Sequence, residues 1–201
     1  MRTVARQRHY VNPKDRGVPL FVTTTVLDFV HAFHRPDVRD AMVFAIATEC
    51  KLARATLYGY VVMPHHVHLV VRPHETMNGP EFMKIFKKES GEAIVKLLSE
   101  AELRQFDQQR GLNGNTFWKY SFRSVVIGSE RMFWQKMNYL HRNPVEAGYA
   151  DAPEDYRWSS ARLLLEGKMS RESGLAYHGV VGSLGTRARD GVSGSHQCPE
   201  A

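Results

Sequence analysis

Apolar and polar positions along this chain follow two periods, one of strands and one of helices. Residues 20–26, Leu-Phe-Val-Thr-Thr-Thr-Val, are rich in β-branched and aromatic types and predict a strand. Pro36 and Asp37 open a segment over 37–52 in which Val38, Ala41, Met42, Ala45 and Ile46 recur at helical spacing. Two strands, 56–63 and 66–72, follow with Pro64-His65 between them, the pattern of a hairpin. Residues 80–99 predict a long helix whose buried face is Phe82, Ile85, Phe86, Ala93 and Leu97. Residues 101–115 are polar and read as a loop ending in Asn113-Gly114-Asn115. One or two strands are expected in 116–128, around Phe117-Trp118 and Ser124-Val125-Val126-Ile127. A helix over 130–143 follows, with Ser129 as its N-cap and Pro144 ending it or starting a short turn. The order β-α-β-β-α-β-α predicts an α+β fold, one antiparallel sheet with helices packed on it.

The pattern divides the 201 residues into three parts. Residues 1–17 hold five basic residues and one acid and read as a basic arm. Residues 18–166 carry every periodic segment and form the domain. Residues 167–201 contain seven of the fifteen glycines and five serines, too little apolar surface for a core, and read as a flexible tail.

Composition adds limits. Apolar residues make up 43% of the chain, as in ordinary globular proteins, and no apolar run is long enough to span a bilayer. Arg2, Arg6 and Arg8 are followed by no apolar stretch, so the start does not read as a secretory signal. The two cysteines, Cys50 and Cys198, lie in no Cys-x-x-Cys pair, which argues against a disulfide framework or a thiolate zinc site and fits a cytoplasmic protein. The net charge of +6 is compatible with a polyanionic partner but does not require one.

Chemistry concentrates in two stretches. In Val61-Val62-Met63-Pro64-His65-His66-Val67-His68-Leu69-Val70-Val71, strand alternation puts Val67, Leu69 and Val71 on one face. His66 and His68 share the other, close enough to hold one divalent ion. Two exposed histidines on a sheet face would show the same pattern. In Gln135-Lys136-Met137-Asn138-Tyr139-Leu140-His141-Arg142-Asn143-Pro144, helical spacing aligns Gln135, Tyr139 and Asn143 on one stripe beside the apolar stripe Phe133, Met137, Leu140. A tyrosine hydroxyl is a weak nucleophile at neutral pH and needs a cation or base nearby. A packing tyrosine, and an Asn143 that caps a helix starting at Pro144, are the structural alternatives.

Together these stretches resemble the HUH endonucleases with a single catalytic tyrosine, and within them the REP-associated tyrosine transposases. The resemblance rests on four ordered segments spanning residues 18–162: 60–69, Phe86-Lys87-Lys88, 139–148 (Tyr-Leu-His-Arg-Asn-Pro-Val-Glu-Ala-Gly) and Tyr156-Arg157-Trp158-Ser159-Ser160. It implies a ferredoxin-like sheet, a divalent metal (Mg²⁺ or Mn²⁺) on His66 and His68 with Asn143 as third ligand, and Tyr139 as nucleophile. The implied reaction cleaves and rejoins single-stranded DNA at hairpins of repeated extragenic palindromes through a 5′-phosphotyrosine. Lys84, Lys87, Lys88 and Arg123 are the expected DNA contacts, and Trp118, Trp134 and Trp158 either stack on bases or pack in the core. Monomer and homodimer both remain open. The rival readings are a hairpin-binding protein without transposition, an HUH relaxase or replication initiator, and a metal-dependent hydrolase with a structural Tyr139.

Overall fold

A computed structural model describes residues 14–106 and 117–165. The arm up to residue 13, the Asn-Gly-Asn turn and the 167–201 tail lie outside the described residues. The elements run β1 (Leu20–Thr25), α1 (Pro36–Leu52), β2 (Thr56–Met63), β3 (His66–Arg72), α2 (Gly79–Val95), α3 (Glu100–Leu103), β4 (Arg123–Val126), α4 (Glu130–Glu146) and α5 (Ala161–Leu165). The four strands form one antiparallel sheet in the order β2-β3-β1-β4. The expected α+β architecture is what the chain adopts.

Strand alternation gives the sheet two apolar faces. Leu20, Val22, Val67, Leu69 and Val71 pack with Val38, Met42 and Ile46 of α1 and Phe82, Met83 and Phe86 of α2. Phe21, Val61, Met63 and Val70 pack on the other face, under Phe133, Met137 and Leu140 of α4. The sheet is therefore covered on both sides, and α4 lies across the face that carries His66 and His68.

Close packing of α4 has a sequence cause. The register between β2 and β3 shifts between Leu57 and Gly59, which turns both Tyr58 and Gly59 towards α4. A Cβ at Gly59 would sit 2.8 Å from Met137 Cε. Past β2, the segment around residue 160 pairs with the strand's edge: Val62 N–H donates to the Trp158 carbonyl at 2.9 Å and Ser160 N–H to the Tyr60 carbonyl at 3.0 Å. Ser160 Oγ also lies 2.9 Å from His141 Nε2, tying α4 to that edge.

Three expectations are corrected. The buried face of α2 is Phe82, Met83, Phe86, Ser90, Gly91 and Ile94, whereas Ile85, Ala93 and Leu97 are exposed. The small residues Ser90 and Gly91 share that buried face with the large apolar ones. A capping box at Ser99 starts the short helix α3 inside the segment read as loop. The expectation of one or two strands in 116–128 is met by β4, with Trp118 making one isolated bridge to Val26. Finally, α4 runs through Pro144, which is buried. The proline lacks an N–H, so the bond that an ordinary residue would make to the Leu140 carbonyl is absent, and the helix ends two residues later. Ala147 N–H still reaches the Asn143 carbonyl at 3.0 Å and Tyr149 N–H the Pro144 carbonyl at 2.8 Å.

Candidate active site

His66 and His68 project from β3 beneath α4, with ring centroids 4.8 Å apart. The face is not open to solvent as the strand pattern alone suggests: His68 is only 4% exposed. Its ring stacks on Phe21 at 5.3 Å. Thr23, its cross-strand partner on β1, places Oγ1 2.8 Å from Nδ1. With the Nδ1 proton donated to that hydroxyl, Nε2 keeps its lone pair for a cation.

Burial also sets the charge. It pushes His66 down to about 4, with His65 adding to the shift. It pushes His68 down to about 3, with His66 adding and a hydrogen bond with Asn143 opposing. Both imidazoles are neutral at neutral pH, the form that binds metals.

Tyr139 sits on α4 above the pair. Its ring centroid is 5.7 Å from that of His68 and 5.7 Å from that of Phe21. The residue is 46% exposed, so part of its surface is open to a substrate. One turn earlier, Lys136 places its ammonium 5.2 Å from the Phe21 ring centroid. Asn143, one turn later, donates from Nδ2 to the Tyr139 carbonyl at 3.3 Å and also contacts His68. Its capping alternative does not apply, because Asn143 lies within α4. The structure thus brings His66, His68, Tyr139 and Asn143 to one place.

Two imidazoles and an amide oxygen suit a divalent ion that leaves positions for water and phosphate. Among the described residues no group of three histidine, cysteine or acidic side chains could hold a metal, so a third protein donor would be the Asn143 amide.

The expected DNA contacts divide. Arg123 is the β4 partner of Thr23 and so shares the row Arg123-Thr23-His68 on the α4 side. Lys84, Lys87 and Lys88 stand on α2, which packs against the opposite face. Lys87 donates to the carbonyls of Lys119 and Tyr120, and burial pushes its ammonium down to about 8. Lys88 pairs with Glu89 and Glu92. Trp118 is core, with Nε1 donating to Ser90 Oγ. Trp158 Nε1 donates to Asp40 and Arg39 covers its ring. Thr23 and Lys136 were not singled out from sequence. The pairing of β1 with β3 is what reveals Thr23; Lys136 could have been found from its i−3 spacing to Tyr139.

The site is thus a histidine pair beneath a tyrosine-bearing helix, on a four-stranded antiparallel sheet. The family profile described as "Transposase IS200 like" matches residues 22–143, and the chain belongs to that family of enzymes acting on DNA. Among solved structures, a REP-associated tyrosine transposase bound to a REP hairpin is similar with a TM-score of 0.58 at 17% identity, over 82% of this chain and 87% of that one. A Deinococcus radiodurans R1 protein provisionally named a transposase aligns with a TM-score of 0.46 at 19% identity, over 69% of this chain and 97% of that one. No curated protein matches. No helix among the described residues is long and apolar enough to cross a membrane.

Proposed function

We propose that this transposase cuts and rejoins single-stranded DNA by covalent catalysis at Tyr139, with a divalent cation on His66, His68 and Asn143. The single observation that carries the reading is the approach of the Tyr139 ring to within 5.7 Å of the His68 ring. It puts a partly exposed tyrosine beside two neutral imidazoles.

In the reaction, Tyr139 Oη attacks phosphorus and loses its proton. The new Oη–P bond replaces the P–O3′ bond, and the 3′ oxygen leaves as a hydroxyl. One phosphodiester is exchanged for another, so a second 3′-hydroxyl can reverse the step without ATP. A bound Mg²⁺ or Mn²⁺ would polarise the phosphate and lower the charge that Tyr139 must approach. Lys136 supplies a fixed cation on the same side, and Phe21 holds the His68 and Tyr139 rings in relation to each other.

The substrate proposed is a hairpin with a single-stranded flank. The fold neighbour bound to a REP hairpin supports this choice, and in-line attack needs a phosphate that a continuous duplex holds out of reach. Arg123 is the favoured backbone contact among the residues predicted from sequence; Lys84 and Lys88 would serve only DNA that wraps onto α2.

The experiment compares a labelled hairpin with a single-stranded flank and the same sequence as plain duplex, with Mn²⁺ and with EDTA. Cleavage confined to the hairpin and to Mn²⁺ is expected. His66→Ala and His68→Ala should each abolish cleavage and weaken Mn²⁺ binding measured by calorimetry. Equal cleavage of both DNA forms would mark a general nuclease, and unchanged Mn²⁺ affinity in both variants would remove the pair from the metal site.

A further inference from the structure

We infer that Phe29 and Lys119 form a seat for one unpaired nucleotide beside the histidine pair, the base stacking on Phe29 and its phosphate meeting Lys119. This rests on the DNA-cleavage reading above. Three observations converge on it.

The first is backbone strain. Asp28 has φ 52° and Phe29 φ 58°, a left-handed conformation that a bulky side chain rarely adopts. The segment is held there by its neighbours. Val26 N–H donates to the His65 carbonyl at 2.8 Å, Phe29 N–H to the Val26 carbonyl at 3.2 Å, and Phe33 N–H to the Pro64 carbonyl at 3.0 Å. Val26 and Phe33 are fully buried. Phe29, between them, is instead 58% exposed. An exposed phenylalanine is unremarkable by itself; one turned outward by an unfavourable backbone is a selected arrangement.

The second is the cation. Lys119 Nζ lies 3.1 Å from the Phe29 ring centroid. The lysine is fixed at both ends of its peptide unit: its N–H donates to the Thr25 carbonyl at 2.9 Å, and its carbonyl accepts from Lys87. Lys87 thereby helps to hold the Lys119 peptide in place. An aromatic ring paired with a fixed ammonium suits a nucleotide, whose base offers a π face and whose phosphate offers a charge. A protein-docking surface would call for a wider apolar patch.

The third is position. The Phe29 ring is 5.8 Å from the His65 ring, which is 4.6 Å from the His66 ring. His31 stacks on His65 at 5.3 Å. The seat therefore adjoins the phosphate that His66, His68 and Tyr139 would engage, and His65 joins the two. This gives His65, left as a turn residue by sequence, a part in spacing the nucleotide from the reacting phosphate.

The test uses the full chain carrying Tyr139→Phe, so that bound DNA stays intact, and single-stranded oligonucleotides with 2-aminopurine at successive positions around the cleavage site. Quenching at one or two adjacent positions is expected, and its loss in Phe29→Ala with about ten-fold weaker binding. Phe29→Trp should restore both. Lys119→Ala should weaken binding and flatten its salt dependence. Phe29→Gly separates the seat from a structural role. Glycine accepts the left-handed backbone, so the melting temperature should hold or rise while affinity falls. Unchanged affinity and quenching in Phe29→Ala, or stability and affinity falling together in Phe29→Gly, would overturn the seat. Adduct formation by the protein with Tyr139 intact is scored on the same DNA. Its absence would overturn the cleavage reading, whereas an adduct with unaltered quenching would overturn the seat alone.

Discussion

Thr23 Oγ1 lies 2.8 Å from His68 Nδ1 across the β1–β3 ladder. The contact fixes which imidazole nitrogen is free and which way the ring faces. Removing the hydroxyl with little change in shape should therefore harm the metal site without harming the fold. Thr23→Val is expected to lower Mn²⁺ affinity by roughly ten-fold or more, the usual effect of losing a hydrogen bond behind a metal-binding histidine. Calorimetric titration measures it. Wild-type affinity in a folded Thr23→Val protein would show that the hydroxyl does not orient the ligand.

Two buried histidines, His68 and His141, and the partly buried His66, all held neutral, make the metal-free protein sensitive to acid. Burial holds His66 at about 4, His68 at about 3 and His141 at about 4, against 6.5 for the free side chain. The unfolded chain takes up protons below pH 6.5, and the folded chain does not until near pH 4. Stability is therefore full above pH 6.5 and falls as the pH drops from there towards 4. Between pH 7.5 and 5.5 the loss should be on the order of 1 kcal/mol per histidine. Urea unfolding in EDTA at those two pH values measures it. A flat profile would mean the rings are more hydrated than their burial implies.

Gly59 sets how closely α4 can lie on β2. An added methyl would sit 2.8 Å from Met137 Cε, 2.9 Å from Met137 Sδ and 3.3 Å from Ser160 Oγ. The methionine end is flexible but fully buried, so it can yield only by disturbing its neighbours. Gly59→Ala should cost about 1 kcal/mol, within the range for overpacking. Because Met137 precedes Tyr139 on the same helix, cleavage should slow as well. Thermal unfolding and single-turnover cleavage check the two effects; a variant with wild-type values for both would mean that α4 has slack at this contact.

How much of this was legible in the sequence depends on the range of the interaction. Alternation along 66–71 placed Val67, Leu69 and Val71 in the core and His66 and His68 on the other face, since a strand's period is local. The four-residue spacing of Tyr139 and Asn143 was equally local. Thr23 was not legible, because its value comes from a register between strands more than forty residues apart. The face of α2 was misread for a different reason. Large apolar residues were taken as its whole contact, while Ser90 and Gly91 are buried there beside Phe82 and Phe86 and Ile85 is exposed. Pro144 misled in turn, because the helix forgoes one hydrogen bond at the proline and still continues to Glu146.

The most direct measurement of the central claim is where the DNA becomes attached. Protein incubated with a flanked hairpin and Mn²⁺ is denatured, digested with protease, and the DNA-linked peptide identified by mass spectrometry. The account predicts a single modified peptide with the 5′-phosphate on Tyr139, and no adduct from Tyr139→Phe. Attachment to another tyrosine, such as the fully exposed Tyr120, or an adduct that persists in Tyr139→Phe, would contradict it.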